Sequence, residues 1–350
     1  MTDKTNTSPR KVRIAIAGLS HGHVVWILRK LERPDLEVVG FYEPDPDLAR
    51  RYSKEFGFPL EMVYSDLGGM LDAVKPEAVA AFGSIYAHLE VVEACAPRKI
   101  HVMVEKPLAV SMAHAGRMAA LAREHGIQLI TNYETTWYAS TYAAYHSAVE
   151  EGALGPIRKV VVHDGHFGPV EIGCGPDFLG WLTDPVLNGG GAVVDFGCYG
   201  ANLITWLMGG QEPLSVTGIL QTLKPDVYPK VDDEATIVLT YPKAQGIIQG
   251  SWNWPVGRKD MEIYGQRGFF VAVDELTTRS RRRGQAEETV TRLEPAPARV
   301  RDPFTYLAAV VCGEETVVPG SLWSLENNLS VVRILDAARE SARTGRTVFF

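Results

Sequence analysis

The chain has 350 residues, 46% of them hydrophobic and 22% charged, with a formal net charge of −7 at pH 7. That length calls for two domains rather than one core, and the acidic balance argues against a nucleic-acid-binding protein, which would carry a basic face. No run approaches the roughly 18 apolar residues needed to span a bilayer, residues 1–10 lack the apolar stretch of a secretory signal, and the four cysteines form no CxxC pair; a disordered leader, a cytoplasmic location, no membrane partner, no metal and no disulfide framework are expected.

Val12–Ala17 (VRIAIA) reads as a buried strand that Gly18 ends, and helical spacing follows from 24 to 31. Leu36–Tyr42 is a second strand, 47–56 a charged helix, 78–82 a third strand, 88–96 a helix, 100–104 a fourth strand, Met112–His125 a helix and 127–131 a fifth strand. Regular alternation of this kind implies right-handed βαβ units and a parallel sheet. Past residue 132 a helix is expected over 141–151. Longer strands of period two then run over 157–165, 214–223, 234–241, 245–252, 260–270 and 278–284, and an amphipathic helix over 323–343. Such alternation predicts antiparallel pairing with one open face. The expected fold is therefore α/β: a Rossmann parallel sheet over residues 11–132, and an α+β substrate-binding and oligomerisation domain with a large, mostly antiparallel sheet over 133–350.

The segment Gly18-Leu19-Ser20-His21-Gly22-His23 joins the first strand to the first helix, where backbone N–H groups can face a pyrophosphate. The match to GxGxxG is partial, since Ser20 and His23 replace the second and third glycines. Glu43, at the end of the second strand, lies where a carboxylate meets the adenosine ribose hydroxyls and repels a 2′-phosphate, which favours NAD over NADP.

Glu105-Lys106-Pro107 follows the fourth strand. Together with the GLSHGH loop, His88, the segment GGGAVVDFGCY over residues 189–199 and SARTGR over 341–346, it resembles the Gfo/Idh/MocA oxidoreductase family. The resemblance runs over most of the chain. It implies a bound dinucleotide touched by Gly18, Ser20, His21, Gly22, His23, Glu43, Ser84, His88, Glu105 and Lys106, and a homodimer or homotetramer formed through the outer face of the second sheet. Tyr199 stands where the family usually has histidine. Tyrosine also occurs there in the branch resembling glucose–fructose oxidoreductase and dihydrodiol dehydrogenase. The arginine often found just after the fifth strand is missing from residues 132–138.

Hydride transfer from a carbinol carbon leaves a proton on oxygen, which a base must take. Lys106, at the C-terminal end of a parallel strand, is one candidate, with an ammonium expected to be weakened by burial beside the cofactor. Tyr199 is the other, its phenol expected to be made more acidic by Lys106, so that the two could relay one proton. Asp195, four residues before Tyr199, would orient Lys106, hold a hydroxyl or cap a helix. His163, Asp164, His166 and Glu171 cluster after a long strand; in a strand His163 and Asp164 point to opposite faces, which disfavours a metal and leaves loop contacts to a polyol or a plain surface loop. Asn132, Trp137, His166 and Trp181 are the candidate substrate contacts. The reading is an NAD(P)-dependent dehydrogenase or reductase of a sugar, cyclitol or related polyol. The alternatives are a redox-neutral glycoside-cleaving enzyme that retains NAD, and a non-catalytic NAD-binding regulator.

Overall fold

A computed structural model describes residues 10–350; of the expected leader only Arg10 falls within them. The first half contains β1 (Val12–Ala17), α1 (Val25–Leu28), β2 (Leu36–Tyr42), α2 (Pro46–Phe56), β3 (Val63–Tyr64), α3 (Leu67–Val74), β4 (Ala78–Ala81), α4 (His88–Cys95), β5 (His101–Glu105), α5 (Met112–His125) and β6 (Leu129–Asn132). These strands form one parallel sheet in the order β3-β2-β1-β4-β5-β6, the doubly wound arrangement with its switch point between β1 and β4. β4 (AVAA) is buried on both faces, and β1 and β5 are too apart from Arg13 and His101 at their starts, because helices cover both sides of the sheet.

The second half contains α6 (Ala139–Tyr145), β7 (Ile157–Gly165), α7 (Pro176–Leu182), α8 (Ala192–Asp195), α9 (Gly197–Leu207), β8 (Ser215–Gln221), β9 (Glu234–Thr240), β10 (Gln245–Ser251), β11 (Arg258–Gly265), β12 (Gly268–Ala272), β13 (Thr277–Arg282), β14 (Thr289–Arg292), α10 (Ala298–Arg301), α11 (Pro303–Val311), α12 (Leu325–Thr344) and β15 (Val348–Phe349). Nine strands form the second sheet in the order β14-β13-β12-β11-β7-β10-β9-β8-β15. It is antiparallel except where β10 runs parallel to β7. Val160, Val162, Ile237, Leu239, Ile248, Met261 and Ile263 fill its inner face, against α9 and α12. Val161, Val238 and Ile247 sit on the outer face, which no helix among the described residues covers.

Several details depart from the sequence reading, the helices α7 and α11 among them, both in stretches left unassigned. The helix expected over 24–31 shrinks to a 3₁₀ turn at Gly22–Val24 and the four-residue α1. β3 and α3 occupy a stretch left unassigned; Gly68-Gly69 weakens the helical signal, and the Asp66 side chain caps α3 at the Gly69 amide. The run 260–270 folds back as the β11–β12 hairpin at Gln266-Arg267. β14 is a fully exposed edge strand with no buried side to reveal it.

The C-terminal elements return to the first sheet. Asp302 pairs with Arg33, and Phe304 lies 6.2 Å from Phe82. α12 sets Val332 into the core of the parallel sheet, Asp336 accepts the Met112 amide at 2.9 Å, and Trp323 O accepts the Thr131 amide.

Candidate active site

A cavity of about 330 Å³ opens at the C-terminal ends of β1 and β5, the place an open parallel sheet reserves for ligands. The GLSHGH loop walls one side and Phe196, Tyr199 and Lys259 the other. A larger open groove, about 700 Å³, lies along β2 and residues 57–62 but holds none of the motif residues, so the smaller cavity is the candidate site.

Gly18 makes the loop possible. Its φ is +86°, and a Cβ there would stand 2.6 Å from the Gly83 nitrogen. Glu43 braces the turn: one carboxylate oxygen accepts the Leu19 amide at 2.8 Å, the other the Asp45 amide at 2.9 Å. Burial raises its pKa above the usual carboxylate value. The amides of His21 and His23 are also spent inside the protein, on Phe82 O and on His21 Nδ1. An anion would therefore meet the amides of Ser20 and Gly22, both on the cavity wall, which is fewer free donors than the motif alone suggests. Gly22 faces open space, with no atom within 4 Å of where a Cβ would be. A dinucleotide fits these donors, that gap and the spare lone pairs of Glu43.

Lys106 enters from the end of β5. Its Nζ donates to Asp195 Oδ1 at 2.5 Å and to Asp195 O at 3.0 Å. The other carboxylate oxygen of Asp195 accepts Trp252 Nε1–H at 3.0 Å, so each of its oxygens has one partner and a further lone pair. Lys106 Nζ lies 5.2 Å from the centroid of the Tyr199 ring. The three expected catalytic residues are thus brought together.

Their protonation differs from expectation. Burial opposes the Lys106 ammonium, but the Asp195 carboxylate in contact with it outweighs that, and the pKa ends above the ordinary lysine value. Asp195 is held below the ordinary carboxylate value, Lys106 overcoming desolvation. Burial, followed by the charges of Glu134 and Asp164, pushes the Tyr199 phenol well up rather than down. At neutral pH both candidate proton carriers hold their protons.

The other expected contacts divide. His166 lines the cavity; its Nδ1 accepts the Gly168 amide, its ring stands edge-on to Phe196, and burial lowers its pKa. His21 is on the wall, packed against Phe178 and Trp181, and burial holds it neutral. His23 stacks on Trp26 at 3.7 Å and is pushed down to about 3 by burial and Lys106, so its Nδ1 carries the hydrogen donated to Glu105. Asn132 donates to the other oxygen of Glu105, both residues lying beneath the cavity. Ser84 accepts the Ala87 amide, and buried His88 bonds Leu108 O, away from the wall. Trp137 packs on Trp26, and Trp181 lies behind His21. His163 points to the outer sheet face, where it meets Asp260. Glu171 is held by Lys224 and Tyr228.

Two charged groups on the cavity wall, Lys259 and Glu134, escaped the sequence reading. Lys259, on β11, sets its Nζ 4.5 Å from the Tyr199 ring centroid and pairs with Glu134. The signal for Lys259 was its place in the inward-facing alternation with Met261 and Ile263.

Comparison with known proteins agrees with this architecture. The description "Oxidoreductase family, NAD-binding Rossmann fold" matches residues 12–133, and "GFO/IDH/MocA C-terminal domain" matches residues 142–271. The chain is 26% identical to trans-1,2-dihydrobenzene-1,2-diol dehydrogenase of Bos taurus over 292 residues, 82% of this chain and 81% of the relative. Among solved structures, an aldose-aldose oxidoreductase of Caulobacter crescentus, complexed with glycerol, superposes with a TM-score of 0.79 at 24% identity, covering 97% of this chain and 100% of that one. An inositol dehydrogenase homolog of Azotobacter vinelandii, complexed with NAD⁺, gives 0.82 at 18% identity, with both chains fully covered. With a parallel sheet carrying the glycine turn, Lys106 bonded to Asp195 on the cavity wall, and both halves matched in order, the chain belongs to the Gfo/Idh/MocA family of NAD-binding oxidoreductases.

Proposed function

We propose that the enzyme moves a hydride between NAD and the carbinol or carbonyl carbon of a sugar, cyclitol or related diol. The observation that carries this reading is the buried Lys106–Asp195 pair beside Tyr199 in a cavity walled by the glycine loop. The names of relatives, a diol dehydrogenase and an aldose-aldose oxidoreductase, support the substrate class.

Ser20 and Gly22 would hold the pyrophosphate through their amides, and Glu43 the ribose hydroxyls. Asp47 and Asp177 at this end are paired with Arg50 and Arg51, so the preference for NAD over its 2′-phosphorylated form rests on the Glu43 carboxylate. Bound NAD supplies the hydride acceptor for oxidation and, when reduced, the donor for the reverse. Lys106 and Asp195 grip the reacting oxygen from the donor and acceptor sides. Tyr199, held protonated by its surroundings, would donate to a carbonyl oxygen in reduction, and oxidation requires a proton to be lost first. The outer face of the nine-stranded sheet, with Val161, Val238 and Ile247 at its centre, would join copies of the chain.

The test is NADH formation from NAD⁺ over a panel of aldoses, cyclitols and cyclic diols, with the matching ketones run against NADH. A protein that binds NADH yet turns over no member of either panel would end this reading.

A further inference from the structure

The cavity holds a second ion pair of the same kind as the first. Lys259 and Glu134 both line it, bonded to each other, with side chains 22% and 34% exposed. The cross-strand register fixes Lys259: it stands opposite Asp164, and its Nζ lies 4.0 Å from Asp164 Oδ1. Both lysines reach the Tyr199 ring, Lys106 at 5.2 Å and Lys259 at 4.5 Å. The cavity thus presents two lysine–carboxylate pairs around one phenol.

Each pair is a donor beside an acceptor with no net charge. A hydroxyl both donates and accepts, and satisfies such a pair. A carboxylate or phosphate would face Glu134 as well as Lys259, and an amine would face Lys259 as well as Glu134, so either charge meets repulsion.

The geometry points to Lys259–Glu134 as a second hydroxyl-binding subsite, so that the substrate is an uncharged ring with at least two hydroxyls, one reacting at Lys106–Asp195 and another held at Lys259–Glu134. This rests on the polyol reading above and narrows it. Neither residue touches the reacting oxygen; both set specificity.

The experiment compares kcat/KM with NAD⁺ for D-glucose, trans-1,2-cyclohexanediol, cyclohexanol and D-gluconate, in wild type and in Lys259→Met, Lys259→Arg and Glu134→Gln. NADH binding by each variant checks that it has folded. Wild type is expected to favour the diol over cyclohexanol, because a site built to bond a hydroxyl rejects the analogue without it. Lys259→Met should lose at least about tenfold more on the diol than on cyclohexanol, mainly through KM, with part of the loss restored in Lys259→Arg. Glu134→Gln should shift preference toward gluconate by uncovering the Lys259 charge. Equal losses on diol and cyclohexanol, or a wild type that prefers gluconate to glucose, would overturn the subsite and leave the polyol reading standing. A wild type that binds NADH but turns over neither these four compounds nor any member of the wider panels above overturns both.

Discussion

Lys259 and Asp164 face each other across the β7–β11 ladder, the ammonium 4.0 Å from one carboxylate oxygen, while the other oxygen is buried without a hydrogen-bond partner. Burial raises the Asp164 pKa to about 8, with Lys259 and Lys106 offsetting only part of the desolvation. The folded protein therefore binds this proton more tightly than the unfolded chain. Its stabilising contribution is complete below the ordinary aspartate pKa and is lost as pH rises from there through about 8. Asp164→Asn removes the titration. The difference in Tm between variant and wild type should become more favourable to the variant from pH 5 to pH 9, by several degrees. A difference that does not change with pH would contradict the assignment.

Lys106→Met and Tyr199→Phe should each lower turnover by roughly 10²–10⁴, the usual worth of a general acid–base group. The double variant should lose far less than the product of the two, since residues acting as a unit are non-additive. NADH affinity, followed by fluorescence, should change little in Tyr199→Phe. A Tyr199→Phe enzyme within a few-fold of wild type would remove the phenol from the chemistry.

Because both groups are held protonated, the forward and reverse rates should separate with pH. Oxidation should accelerate from pH 7 to pH 10 as a proton leaves the Lys106–Tyr199 pair, whereas reduction should stay level and then fall. Initial rates in both directions give the two profiles. Oxidation that is fastest at pH 6 would mean that another group takes the proton.

Two glycines of the same loop should behave differently. Gly18→Val forces a positive φ on a branched residue and meets Gly83, so both Tm and NADH affinity should fall. Gly22→Val enters open space, so Tm should hold within a few degrees while NADH affinity falls about tenfold or more. Unchanged NADH binding in Gly22→Val would move the pyrophosphate elsewhere.

Glu43→Ala should weaken NADH binding and narrow its advantage over NADPH, since the carboxylate both braces Leu19 and repels a 2′-phosphate. Titration of the two cofactors by fluorescence measures both effects. A wild type that binds NADPH more tightly would reverse the assigned preference.

The sequence was legible where one short segment carries both the geometry and the chemistry. Gly18 at one strand end and Lys106 at another could each be placed from neighbours alone, whereas Asp195 closes α8 and Tyr199 lies in α9, so the single helix expected to carry both is broken at Phe196. Lys259 and Glu134 could not be placed that way, because 125 residues separate them and only the register of β11 brings them together. The acidity of Lys106 and Tyr199 was misjudged for a related reason. Burial and one or two charges were weighed from the sequence, but the decisive neighbours, Asp195 in contact and Glu134 and Asp164 nearby, come from three separate elements. The short first helix and α3 were obscured by local composition, where tertiary packing overrides weak propensity.

α12 has a consequence for how the chain is made. Synthesis releases β1 to β6 first, yet Val332, Leu325 and Leu329, which close that sheet's core beside Met118 and Leu121, emerge nearly two hundred residues later. Until then the nascent first half leaves that apolar wall uncovered, and its final consolidation waits for the last helix.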